Sequence, residues 1–151
     1  MKSEPDVYSI EDMERDGTGE WEGVRNYQAR NFMRDMKEGD LVLFYHSNTK
    51  PPGVVGVVKV VGEAHPDETQ FDDKSPYFDE RVDKGEPRWD VVDVAYVETF
   101  DESVPLATLK DTDALDGMLI LRKGNRLSVA PVDEKHFEAI LKLAGAKTKV
   151  R

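Results

Sequence analysis

Two stretches of the chain repeat apolar residues with a helical period. Ala29, Phe32, Met33 and Met36 fall at i, i+3, i+4 and i+7, and Phe137, Ile140, Leu141 and Ala144 repeat the stripe. Asn26 and Asp133 stand where N-caps belong, and Gly39 and Gly145 where the helices should stop. These features predict helices over 26–37 and 133–144. Ser9-Ile10-Glu11-Asp12 has capping-box spacing and predicts a short helix over 9–16, closed near Gly17. The remaining apolar runs read as strands. Leu41 to Tyr45 and the β-branched run Val54 to Val61 are continuous, as buried strands are, whereas Arg88 to Phe100 alternates. Strands are therefore predicted over 41–45, 54–61 and 89–100, with a fourth over 126–132 between the Gly124-Asn125 turn and Pro131. Gly56 inside its valine run predicts a bulge or a close backbone approach. Interspersed strands and helices make this an α+β chain.

Its 151 residues are enough for one domain with its own core, and no linker or repeat divides them. Ala146 to Arg151 reads as a loose basic tail. The acidic stretch from His65 to Glu86 has little periodicity and contains Lys74-Ser75-Pro76-Tyr77. A loop of that length is functional or disordered, and Tyr77 either stacks on a ligand or tacks the loop to the core. There is no cysteine, which excludes disulfides, thiol nucleophiles and thiolate metal sites. No apolar run reaches membrane-spanning length, and the chain is expected in the cytoplasm as a monomer.

A net charge of −10 argues against a polyanionic partner until its distribution is considered. The windows 23–34, 41–62, 117–132 and 139–151 hold twelve Lys or Arg and no acid. A segregated field of that kind can steer an anion, although buried strands also exclude carboxylates. Arg30 and Arg34 share one helical face; Arg25 precedes the helix, and Lys74 and Arg126 lie in loops. These five are the candidate phosphate contacts.

His46, His65 and His136 lack metal-ligand spacing, and there is no phosphate-cradling loop or nucleophile elbow. No metal, cofactor or catalytic residue is expected. Tyr45-His46-Ser47 suggests hydrogen bonding more than acid–base work, because no oriented base accompanies a nucleophile. Trp21, set among Glu20, Glu22 and Gly23, is expected to be partly exposed as a stacking surface, with core packing as the rival role. Asn26 can cap the helix or contact a ligand.

Gly23 to Asn31 (GVRNYQARN) followed by Leu41 to Asn48 (LVLFYHSN) resembles the signature of the EVE domain, a member of the PUA-like superfamily. Lys2-Ser3-Glu4-Pro5, Gly53-Val54-Val55-Gly56, Lys74-Ser75-Pro76-Tyr77, Pro87-Arg88-Trp89 and Gly124 to Val129 match it in the same order. The resemblance implies a curved, PUA-like β-barrel with flanking helices. The family also has an aromatic-led strand that starts a few residues before the Lys-Ser-Glu-Pro run, so that strand is expected to be clipped here and its pairing disturbed. The implied function is a reader of modified bases, C5-modified cytosine in DNA, that holds a flipped base. RNA-binding modules and small nucleoside hydrolases are the alternatives among PUA-like relatives. Carried over by motif, Ser3, Glu4, Trp21, Asn26, Tyr45, His46, Ser47 and Ser128 are the expected base-pocket residues.

Overall fold

The valine run becomes the middle of the sheet. In the computed structural model, which describes residues 1–150, β3 (Leu41–His46) pairs antiparallel with β4 (Gly53–Val60), and β4 with β7 (Asp93–Pro105). The short β1 (Lys2–Ser3) runs parallel to β3, and β2 (Thr18–Glu20) antiparallel to β7, giving the order β1-β3-β4-β7-β2. β5 (His65–Pro66) and β6 (Asp90–Val91) form a separate two-stranded ladder. Four helices flank the curled sheet: α1 (Ile10–Asp16), α2 (Tyr27–Asp35), α3 (Leu106–Lys110) and α4 (Glu134–Ala144). This half-barrel is the curved α+β architecture expected. Among the described residues, no helix is long and apolar enough to cross a membrane.

The continuous apolar runs follow from coverage of both faces. On one face Val42, Phe44, Val58 and Val60 meet Ile10, Met13, Trp21 and Met33. On the other, Leu43, Tyr45, Val54 and Val57 meet Phe100, Leu109, Phe137 and Ile140. Each such fully buried side chain contributes about 1.5–3 kcal/mol of transfer free energy. The β4 register shifts between Val54 and Gly56, and a Cβ at Gly56 would meet the Glu98 carbonyl oxygen, so bulge and close approach coincide there.

Local side-chain bonds account for most departures from the predicted elements. α1 has its capping box, with Ser9 and Asp12 bonding each other's backbone N–H. α2 stops at Asp35 rather than 37, because the Asp40 carboxylate accepts from the Lys37 N–H (2.9 Å) in a turn that competes with the helix. Asp133 occupies the N-cap position of α4 without a side-chain cap bond. Residues 126–132 do not form the predicted strand. Pro131 has no N–H to give, and the neighbouring β1 is two residues long, so the run makes a single bond to it, from the Lys2 N–H to the Ser128 carbonyl (2.8 Å). β1 pairs with β3 from the first residue on, Met1 O accepting from the Tyr45 N–H (2.8 Å). The tail is tied rather than loose as far as it is described. The Glu98 carboxylate accepts from the Lys147 and Thr148 N–H groups (both 2.9 Å) and from the Thr148 hydroxyl (2.5 Å); Arg151 lies outside the described residues.

Candidate functional site

The sheet curls without closing, and its two edge strands border one cavity. Lys2 and Ser3 of β1 and Thr18 to Glu20 of β2 line about 530 Å³ of space, together with Glu4, Tyr8, Trp21 to Val24, Tyr77 and Ser128. Met13, Val24 and Val94, all buried, supply an apolar inner wall. Trp21 stands edge-on to Phe44 at 5.3 Å and is only 9% exposed, so the partly exposed ring expected from its neighbours is instead a core residue with one edge in the cavity. Glu4 is steadied by the amide of Asn48, which donates to its Oε1 (3.2 Å) from a left-handed backbone. Ser3 donates its hydroxyl to the Tyr8 carbonyl (2.7 Å). Partial desolvation at the cavity wall, with Asp67 and Glu20 nearby, raises the carboxyl of the exposed Glu22 above its ordinary value.

The acidic loop brings Tyr77 to this cavity through a buried polar scaffold. Asp67 accepts from the Gly23 N–H (2.9 Å), the Thr69 N–H (2.9 Å) and Arg25 Nη1 (3.0 Å), joining the loop to the segment after β2. Arg25 also donates twice to the Tyr77 carbonyl (3.0 and 2.7 Å). Gln70, fully buried, receives the N–H groups of Arg88 and Trp89 (2.9 and 3.0 Å) and donates to the Trp89 carbonyl (2.8 Å). Asp79 accepts from the Trp89 indole (2.9 Å), and hydrogen bonds from Arg81 and Trp89 hold its carboxyl far below the usual range. The loop is therefore ordered by satisfied buried groups rather than by apolar packing.

Glycine is required where the scaffold meets the cavity. Gly23 has φ +83°, and a Cβ there would lie 2.7 Å from the Tyr77 ring. Gly23→Ala should displace that ring and strain the turn at about 1–3 kcal/mol. Ligand binding should fall with it, and a melting curve beside a binding titration checks both.

Of the expected pocket residues, Ser3, Glu4, Trp21 and Ser128 line the cavity. The other four lie elsewhere. Asn26 caps α2, its Oδ1 accepting from the Ala29 N–H (2.9 Å). Tyr45 is buried on the opposite face of β3, and Ser47 gives its N–H to the Ser3 carbonyl (3.0 Å). His46 accepts from the Ile10 N–H through Nε2 (3.1 Å), which requires a neutral ring, and burial lowers its pKa accordingly. The candidate phosphate contacts divide similarly. Arg25 is committed to Asp67 and Tyr77, and Arg34 pairs with Asp90, so neither is a free cation. Lys74 and Arg126 are exposed. Arg30 bonds only uncharged oxygens, those of Arg88 (2.9 Å) and Asn31 (3.1 and 2.8 Å). Tyr8 and Glu22, which no motif pointed to, also line the cavity, and so does Tyr77, whose carbonyl ties the loop to Arg25. Glu20, His65 and Asp93, far apart in sequence, bring ligating atoms within 4.8 Å of one another, with His65 Nε2 3.0 Å from Asp93 Oδ1.

The domain is a half-barrel whose open seam is lined by aromatic rings and carboxylates. The chain belongs to the EVE domain family, whose model matches residues 1–143. It is 42% identical to thymocyte nuclear protein 1 of Gallus gallus, over 97% of this chain and 68% of that protein. A crystal structure of a protein from Pseudomonas syringae superposes with a TM-score of 0.93 at 44% identity, covering 95% of this chain and 97% of that one. The human THYN1 protein, solved in complex with 5-methylcytosine-containing DNA, superposes with a TM-score of 0.91 at 40% identity, covering 98% and 97%.

Proposed function

We propose that this chain reads C5-modified cytosine in DNA, taking a base out of its stack into the cavity between β1 and β2. The observation that carries the reading is the cavity's composition. Trp21, Tyr8 and Tyr77 offer aromatic surface for a flat heterocycle, and Met13, Val24 and Val94 offer an apolar wall for a methyl group. Its polar wall is rich in acceptors, Glu4 and Glu22 among them. A carboxylate accepts from the exocyclic amine of cytosine and repels the carbonyl that thymine carries in its place. At this level of identity, the human relative's complex with 5-methylcytosine-containing DNA supports the same partner here.

The role proposed is recognition rather than catalysis: His46, the side chain most suggestive of acid–base work, spends its ring nitrogen on the α1 backbone and is not among the cavity-lining residues. A binding panel of DNA and RNA oligonucleotides with plain, methylated and hydroxymethylated cytosine tests the reading. Methylated DNA should bind about tenfold or more tighter than plain DNA, the worth of one methyl group in an apolar recess. Preference for RNA, or products formed from modified nucleosides, would overturn it. Glu4→Ala should weaken methylated DNA about tenfold, the cost of an edge contact left unpaired, with little change in melting temperature because Glu4 is exposed.

A further inference from the structure

A second aromatic surface continues outward from the cavity wall. The Arg25 guanidinium lies over the rings of both Tyr77 (5.7 Å) and Trp89 (5.6 Å). Trp89 is 2% exposed and stacks on Tyr27, centroids 4.7 Å apart and planes 24° from parallel. Tyr27 is 48% exposed although it is a large ring. An exposed aromatic fixed against a buried one loses little freedom on binding, the property of a stacking platform.

Arg30 and Arg88, beside Tyr27, lack a carboxylate partner, as Arg122 and Arg126 do among the described residues. Arg15, Arg25, Arg34 and Arg81 are each paired with an aspartate. Arg30, 4.7 Å from the Tyr27 ring centroid, bonds only uncharged oxygens, and Arg88 reaches the Tyr27 hydroxyl (3.5 Å). Among the described residues neither is in an ion pair. On a chain of net charge −10, two arginines left uncompensated around one exposed ring mark a place for an anion joined to an aromatic group.

We propose that Tyr27, with Arg30 and Arg88, is a second nucleic-acid contact, stacking a base of the same strand a short way along from the flipped one. The arginines hold the phosphates on either side. This rests on the reading of the cavity as a base pocket, and it gives the Pro87-Arg88-Trp89 motif a role: Trp89 stiffens the platform and Arg88 serves it.

The test uses the full chain and methylcytosine oligonucleotides carrying 5-iodouracil at successive positions either side of the modified base. Irradiation should crosslink one flanking position to Tyr27, located by peptide mass spectrometry. Tyr27→Leu, which keeps Trp89 covered, should bind these oligonucleotides about tenfold more weakly, the loss of one base–aromatic stack, while retaining the preference for methylated over plain cytosine. Tyr27→Trp should bind as well as the unchanged protein. If the oligonucleotides bind but no flanking position crosslinks to Tyr27, or Tyr27→Leu binds like the original, the platform is overturned while the cavity reading stands. Failure of every oligonucleotide to bind overturns the cavity reading first and the platform with it.

Discussion

Replacing Trp21 with alanine should lower the melting temperature and abolish DNA binding together. The ring is 9% exposed, stands against Phe44 at 5.3 Å and belongs to the cluster that joins α1, α2 and the sheet. Truncating a buried tryptophan to alanine costs about 3–5 kcal/mol. In a chain of this size that is a fall of roughly 10 °C. Binding should be lost as well, because the same residue lines the cavity. Trp21→Phe separates the two effects: it keeps most of the packing, so it should melt within a few degrees of the original yet bind more weakly. Thermal melts alongside oligonucleotide titrations decide the matter. A Trp21→Ala protein with an unchanged melting temperature would place the ring outside the core.

The burial of Trp21 was written in the sequence in a form that its polar neighbours obscure. Glu20 and Glu22 are exposed while Trp21 between them is buried, which is the alternation of an extended segment with one covered face. Other patterns, the unbroken valine run of a strand covered on both faces and the 3.6-residue period of the two helical stripes, made most of the sheet and helices legible. Residues 126–132 were not, because a strand needs a partner and the available edge, β1, offers only two residues.

The cavity was legible in part for a related reason. Ser3, Glu4, Trp21 and Ser128 reach it along the chain's own motifs, whereas the end of β3 turns its polar residues to other work. Helical spacing placed Arg30 and Arg34 on one face but could not show that a carboxylate 56 residues on, Asp90, neutralises one of them. Nor could it show Asp67, 42 residues after Arg25, drawing that arginine inward. Long-range pairing of charges decides which cations remain for a partner, and no local pattern reports it.

Asp67→Ala should therefore be as damaging as the loss of Trp21, although Asp67 carries no apolar surface. Its side chain is 1% exposed and accepts from the Gly23 N–H, the Thr69 N–H, the Thr69 hydroxyl (2.5 Å) and Arg25. Alanine leaves those donors without their carboxylate, and the Arg25 charge, largely buried, without its counter-ion. Breaking such a pair from one side costs about 3–5 kcal/mol. The loop that carries Tyr77 should loosen, so binding falls with stability. The pH dependence provides the sharper check. Burial opposes ionisation of Asp67, but the bonds from Thr69, Gly23 and Arg25 outweigh it and its pKa is lowered. A carboxyl whose folded pKa lies below its unfolded value stabilises the fold above that unfolded value, about 4, and loses the contribution as pH falls through the folded one. Asp67→Asn should thus be less stable than the original at pH 7, with the gap narrowing as the pH drops below about 4. Melting temperatures of both proteins from neutral to acid pH measure this. A gap that stays constant down to pH 2 would mean that the lost stability comes from shape at this position and not from the charge.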